Sequence, residues 1–210
     1  MTSTPRVVPP NIESNSMRLL IGALILSLAG CCCQPGGNLG GGGRGDGEGI
    51  AGQRPERGPV FSTVNGPVEF QFPPGWFMNQ DEHPFDLQCL SKFEEMTTGV
   101  FLFHKQDLAE DFTADRLLEL QIDDLRSKRD NFEVLEPTQT NATGDKKLTY
   151  AVFSGEKGAI RGHYRFTLIE FIANPELVLI ALQTAIPSQW DKHKPILEAI
   201  TQSARVQPGG

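Results

Sequence analysis

Four histidines (His83, His104, His163 and His193) and four cysteines (Cys31, Cys32, Cys33 and Cys89) are the side chains of this 210-residue chain best suited to metal or covalent chemistry. Asp81-Glu82-His83 offers carboxylate oxygens and an imidazole, and His104 from a neighbouring strand could complete a cation site. The set is scattered and lacks ligand spacing, and a solvated acidic loop accounts for it better. Cys89 beside His83, His104 or His163 could be a thiol nucleophile with its base. Nothing local would activate that thiol, and a buried cysteine acting as a small apolar side chain is the better reading. There is no CxxC pair and no Cys/His zinc spacing. The serines lack a nucleophile-elbow context. Glu94-Glu95 and Asp123-Asp124 read as solvated faces, and Trp76, Phe77 and Trp190 as core or rim. The Gly-rich stretch 34–58 is no phosphate loop, because no Gly-Lys-Ser/Thr follows it and no strand precedes it. Arg44-Gly45-Asp46, inside that stretch, is a tripeptide that chance supplies.

Cys31 stands apart from the other thiols. It closes an apolar run of about a dozen residues that begins after Arg18 and ends in the small residues Ala29-Gly30. A positive n-region, a short apolar h-region and small residues at a cleavage point form an export signal. The run is well short of the ~20 apolar residues of a spanning helix. A charged n-region ordinarily begins at the start codon, so Met17 is the expected start and 1–16 an extension. Leu28-Ala29-Gly30-Cys31 resembles the lipobox of bacterial lipoproteins: an aliphatic residue, a small residue, Gly or Ala, then Cys. The resemblance implies cleavage before Cys31, acylation of its thiol and N-terminus, and a domain tethered to a membrane outside the cytoplasm. In that setting the Asn141-Ala142-Thr143 glycosylation sequon has no role.

Composition narrows the partners. The formal net charge is −7, and no basic patch is interleaved with aromatics. Nucleic acid and anionic lipid are therefore disfavoured as partners. Membrane attachment must come from the lipid on Cys31. Cys32 and Cys33, beside the membrane, could be further acylation sites, form a disulfide with a partner, or do nothing.

Residues 34–58 are Gly-rich and carry almost no apolar side chains, which predicts a flexible tether after the cysteines. Residues 59–207 are long enough for one domain with a core. Val60 to Thr63 is a short strand candidate, and Val68, Phe70 and Phe72 alternate as in a half-buried strand. Pro73-Pro74-Gly75 forces a turn. Strands are expected at Leu87 to Phe93 and Gly99 to His104. Thr113 should cap a helix from about Ala114 to Asp130, with Leu118, Ile122 and Leu125 as its apolar stripe. Arg126, Lys128 and Arg129 at its end complement the helix dipole. Phe132 to Glu136, Leu148 to Val152 and Arg161 to Phe166 follow as strands, with turns at 141–145 and 155–158. Leu177 to Ala185 is apolar on both faces and should lie centrally. Ser188 should cap a last helix that breaks and restarts at Pro195, with Ile196, Ile200 and Ala204 buried. The tail from Gln207 should fray.

Phe70-x-Phe72-Pro73-x-Gly75-Trp76, the Leu177 to Ala185 strand, Trp190 and Ile196-x-x-x-Ile200-x-x-Ser203 together resemble the PsbP-like and DcrB-like group. The likeness covers about Val60 to Val206. It implies an α+β fold, an α/β/α sandwich with a central antiparallel sheet and helices on both faces. That group includes exported accessory proteins and lipoproteins, and no catalytic motif belongs to its fold. The expected organisation is an extension and lipoprotein signal peptide (1–30), a lipidated Cys31 with its tether (31–58) and one globular domain (59–207). The expected function is a lipid-anchored, extracytoplasmic, non-catalytic binding or assembly protein of the cell envelope. It would have no cofactor, no catalytic residue and an unidentified protein partner. The alternative is an extracytoplasmic metal-dependent binder or hydrolase using the His83/His104 region. Convergence of Asp81, His83 and His104 in one cleft would favour that alternative.

Overall fold

The computed structural model describes residues 58–109 and 113–207. The leader, Cys31 to Cys33 and nearly all of the expected tether lie outside the described residues. In chain order the strands are β1 (Val60–Ser62), β2 (Val68–Gln71), β3 (Trp76–Met78), β4 (Leu87–Ser91), β5 (Met96–His104), β6 (Asp130–Thr143), β7 (Lys146–Lys157), β8 (Ile160–Phe171), β9 (Leu177–Ala185) and β10 (Arg205–Val206). Helix α1 (Ala114–Ser127) lies between β5 and β6, and α2 (Trp190–Gln202) between β9 and β10.

Seven strands form one antiparallel sheet in the order β3-β4-β5-β9-β8-β7-β6. β9 sits at its centre, paired with β5 and β8. That position explains its composition. Val178, Ile180 and Leu182 face the core that receives α1, while Leu179, Ala181 and Ala185 face the core that receives α2. Helix α1 covers the first face with Leu117, Leu118, Ile122 and Leu125. Full burial of such a side chain stabilises the fold by about 1.5–3 kcal/mol. Helix α2 covers the second face, together with a small antiparallel sheet in the order β1-β2-β10. The chain is thus α+β, with antiparallel sheets and one helix against each face of the larger one.

The capping rules hold at α1, where the Thr113 hydroxyl accepts from the Arg116 N–H at 3.1 Å. They do not hold at α2. Ser188 lies inside a short 3-10 turn (Pro187–Gln189), and Gln189 occupies the cap position but turns its side chain to Glu95 instead of capping the helix. Nor does α2 break at Pro195, since one helix runs through it. Pro195 is exposed, so the Asp191 carbonyl it cannot bond lies on the solvent side, where water can satisfy it. The buried face of α2 centres on Trp190, His193, Leu197, Ile200 and Thr201, with Ile196 only partly covered.

One helix end and two expected turns also move. Helix α1 ends at Ser127, and β6 starts at Asp130 and runs through Thr143. Asn131, at φ 49, turns the chain out of the helix. The β6–β7 reversal narrows to Gly144-Asp145, and the next to Gly158-Ala159, so Gly155 belongs to β7. Gln207 is held rather than frayed: its N–H donates to the Pro67 carbonyl at 2.7 Å.

Candidate functional site

The candidate chemistry disperses. Among the described residues no group of three or more His, Cys, Asp or Glu side chains could hold a metal ion. Asp81 is exposed, its N–H taken by Asn79 Oδ1 at 3.1 Å. His83 stands 6.1 Å from the Phe85 ring, centroid to centroid, and His104 ends β5 opposite Leu177. Cys89 is fully buried in the core beneath α2, and burial pushes its thiol up to about 12. A thiol so placed is neutral and inaccessible, which disqualifies it as a nucleophile. Trp76 and Trp190 are core residues, and Trp190 meets the His163 ring edge-on at 5.3 Å.

Beneath α2 the sheet carries a polar row that the sequence did not announce. Antiparallel pairing sets Arg165 of β8 beside Gln183 of β9, and Gln183 beside Thr98 of β5. All three are buried. Gln183 Nε2 donates to the Leu197 carbonyl of α2 at 2.8 Å. The Arg165 guanidinium lies 4.5 Å from the Tyr150 ring centroid, with Nη1 3.7 Å from Glu198 Oε1. Burial lowers the Arg165 pKa, and the Glu198 carboxylate opposes that shift. Buried His193 places Nε2 3.5 Å from Glu95 Oε2, so Glu95 is not simply a solvated acid. At the helix end, buried Lys146 of β7 donates to the Gln202 and Ala204 carbonyls, supplying the cation that helix C-termini favour. The Ser203 hydroxyl accepts from the Gln71 N–H at 2.9 Å. These contacts fasten helix to sheets. Because the row is buried, it offers no place for a substrate.

An open cleft lies on the other face, between α1 and the edge strand β6. It has a volume of about 400 Å³. Ile122, Val134, Pro137 and Phe153 supply apolar wall, and Glu119, Asp123, Arg126 and Thr138 the polar part. Its cause is local. The register of β6 against β7 shifts three times between Asp130 and Gln139, and Pro137 has no N–H to give the ladder. Bulges and proline mark edge strands that discourage further pairing. Arg126 is held by Asp123 at 2.6 Å and stands 5.2 Å from the Phe132 ring centroid. Phe132 in turn stacks on Phe153 at 5.1 Å. The cleft contains no nucleophile–base pair. Its walls can accept apolar side chains, and its charged groups can orient them. Val134 and Leu135 were the available signal in sequence, as adjacent apolar residues that one strand must send to opposite faces.

No family model matches the chain, and no curated protein matches it in sequence. Solved structures do. The PsbP protein of the cyanobacterium Synechocystis sp. PCC 6803 (CyanoP) aligns with a TM-score of 0.53 at 14% identity, over 78% of this chain and 98% of its own. LpqN, described as involved in cell envelope biogenesis of Mycobacterium tuberculosis, aligns at 0.51 and 11%, over 73% and 87%. The Ran-binding protein Mog1p of Saccharomyces cerevisiae aligns at 0.51 and 11%, over 70% and 94%. At such identities the likeness establishes the fold alone: this chain has the PsbP- and Mog1-like architecture.

Proposed function

We propose that this chain is a lipid-anchored, extracytoplasmic, non-catalytic binding or accessory protein of the cell envelope. In this reading residues 1–30 are an N-terminal extension and export signal, Cys31 carries the lipid, 31–58 is the tether and 59–207 is the binding domain. The observation that supports binding is the α1–β6 cleft, an open surface built of packing and orienting side chains. The side chains able to do chemistry are instead buried or set apart. The fold shared with an envelope-biogenesis protein is compatible with the reading, although one fold hosts many functions. A lipid anchor would add the physical rationale, because tethering raises the local concentration of the domain near membrane-embedded partners.

The test is photo-crosslinking in intact cells, with a photoreactive residue at Thr138 in the cleft of the full-length chain. A discrete envelope protein should be captured, and capture should fall when Val134→Asp is added. In parallel, Cys31→Ser should leave an uncleaved precursor and release the chain from the membrane fraction. Hydrolase turnover by the purified chain that disappears on changing His83, His104 or Cys89 would overturn the binding reading.

A further inference from the structure

Five large apolar side chains protrude at the two ends of the seven-stranded sheet. At one end Val64 and Ile172 are 76% and 66% exposed. Val64 donates its N–H to Asp86 just ahead of β4, and Ile172 donates to Asp145 just ahead of β7. At the other end Phe93 and Ile160 are 75% and 64% exposed, and Ile186 is 40% exposed. Register places the second set side by side. Ala185, the last residue of β9, pairs with Met96 on β5 and with His163 on β8. Ile186 therefore leaves the sheet between the β4–β5 turn, which carries Phe93, and the β7–β8 turn, which Ile160 follows.

Exposure does not distinguish the two ends, but the path of the chain does. Gly58, the first described residue, lies against Phe72 and Pro73, so closely that a Cβ there would meet the Phe72 carbonyl oxygen at 2.2 Å. The Pro73-Pro74-Gly75 turn then touches the β4–β5 turn, with Lys92 Cβ 3.7 Å from where a Gly75 Cβ would sit. The 57 residues that precede Gly58, Cys31 among them, thus join the domain at the end that carries Phe93. A lysine stands at two of these tips, while Glu94-Glu95 follow Phe93. Lys92 Nζ stands 5.6 Å from the Phe93 ring centroid, and Lys157 pairs with Ile160.

We infer that this end of the sheet rests on the lipid surface, with Phe93, Ile160 and Ile186 entering the interfacial region. The inference rests on the lipid-anchor reading above. Apolar loop tips partition into the headgroup boundary, while lysine stems lie along them and keep their ammonium groups in water. A net charge of −7 gives no overall attraction to anionic lipid, so the contact is apolar. Its consequence is orientation. A tether alone leaves the domain free to turn, whereas three seated tips fix which way the α1–β6 cleft faces.

The experiment places an environment-sensitive fluorescent amino acid at 93, 160, 186, 64 or 172, one position per variant, in the full-length lipidated chain. Each variant is reconstituted on phosphatidylcholine vesicles. All five positions are exposed, so the substitutions leave the core intact. The expected result is a blue-shifted emission at 93, 160 and 186 and none at 64 and 172. A chain that floats with the vesicles yet shows no shift, or equal shifts at both ends, overturns the docking inference and leaves the anchor standing. A chain that does not float overturns both. A shift seen in native membranes but not in protein-free vesicles assigns this end to an envelope protein and overturns the lipid inference.

Discussion

Arg129 donates from Nε to the Tyr164 hydroxyl at 2.9 Å while its guanidinium lies 5.2 Å from the centroid of the same ring. Both residues are buried, and the contact ties the chain just past α1 to β8. Space for it comes from two glycines paired across the strands, Gly155 of β7 and Gly162 of β8. A Cβ at Gly155 would meet Arg129 Cβ at 2.9 Å, and one at Gly162 would meet the Tyr164 hydroxyl at 2.9 Å. Tyr164→Phe keeps the ring and strands a buried donor, so it should cost about 1–3 kcal/mol. Gly155→Ala should cost a similar ~1–3 kcal/mol through overpacking. Urea midpoints measure both. A Tyr164→Phe variant as stable as the parent would show that the hydroxyl bond adds nothing.

Trp190 anchors the start of α2 in the core under that helix, 6% exposed and edge-on to His163. Truncating a core aromatic costs about 3–5 kcal/mol, a large share of a domain's stability. Trp190→Ala should therefore unfold the domain or lower its melting temperature strongly. An unchanged melting temperature would mean that α2 is held by Leu197, Ile200 and the Gln183 and Lys146 bonds without it.

Most of this architecture is legible in the amino-acid sequence, and most of the exceptions share a cause. The β9 segment announces its central place because every residue from Leu177 to Leu182 is apolar. The α1 stripe announces its face through its spacing. Both are properties of a single segment. The polar row beneath α2 is different, because Arg165, Gln183 and Thr98 become neighbours only once register is set. The Arg129 contact likewise needs two glycines that are unremarkable until they are paired. β6 is longer than its sequence suggests because an edge strand that must resist further pairing is written in polar residues and a proline, which look like loop. Pro195 departs in the other direction: it suggests a break, yet a proline on the exposed side of a helix is tolerated. Adjacent Val134 and Leu135 are the one trace of the α1–β6 cleft in the sequence, and they do not place it, because the cleft arises from slipped register.

His163 links stability to acid. Burial holds its pKa below the usual histidine value of 6.5, the neighbouring Arg161 lowers it further, and Asp191 opposes both. The folded state therefore resists a proton that the unfolded chain accepts. The resulting stability is present above pH 6.5 and is lost as pH falls through the depressed folded pKa. Between pH 7 and pH 5 the parent should lose more stability than His163→Gln, in which this proton uptake is absent. Urea midpoints at the two pH values give the comparison, and parallel losses in the two proteins would exclude His163 as the source.

Cys89 links stability to alkali with the opposite proton balance. Its thiol is pushed up from 9.0 to about 12, and the cause is burial. The folded state keeps the proton, and the unfolded chain loses it once pH passes its ordinary value. Stability from this group is thus complete below pH 9 and declines as pH rises toward the folded pKa. Each unit of separation is worth ~1.4 kcal/mol, so the full effect is on the order of a few kcal/mol. Tyrosines and lysines also titrate in this range, so the informative quantity is a difference between two proteins. Cys89→Ala should start less stable at pH 8 because of the small cavity it leaves. It should then lose less than the parent between pH 8 and pH 10.5. The same burial predicts that Cys89 resists alkylation at pH 8 in the folded protein and reacts promptly in urea. Alkylation of Cys89 in the native state at the rate of a free thiol would show that it is accessible, and would return it to the list of candidate nucleophiles.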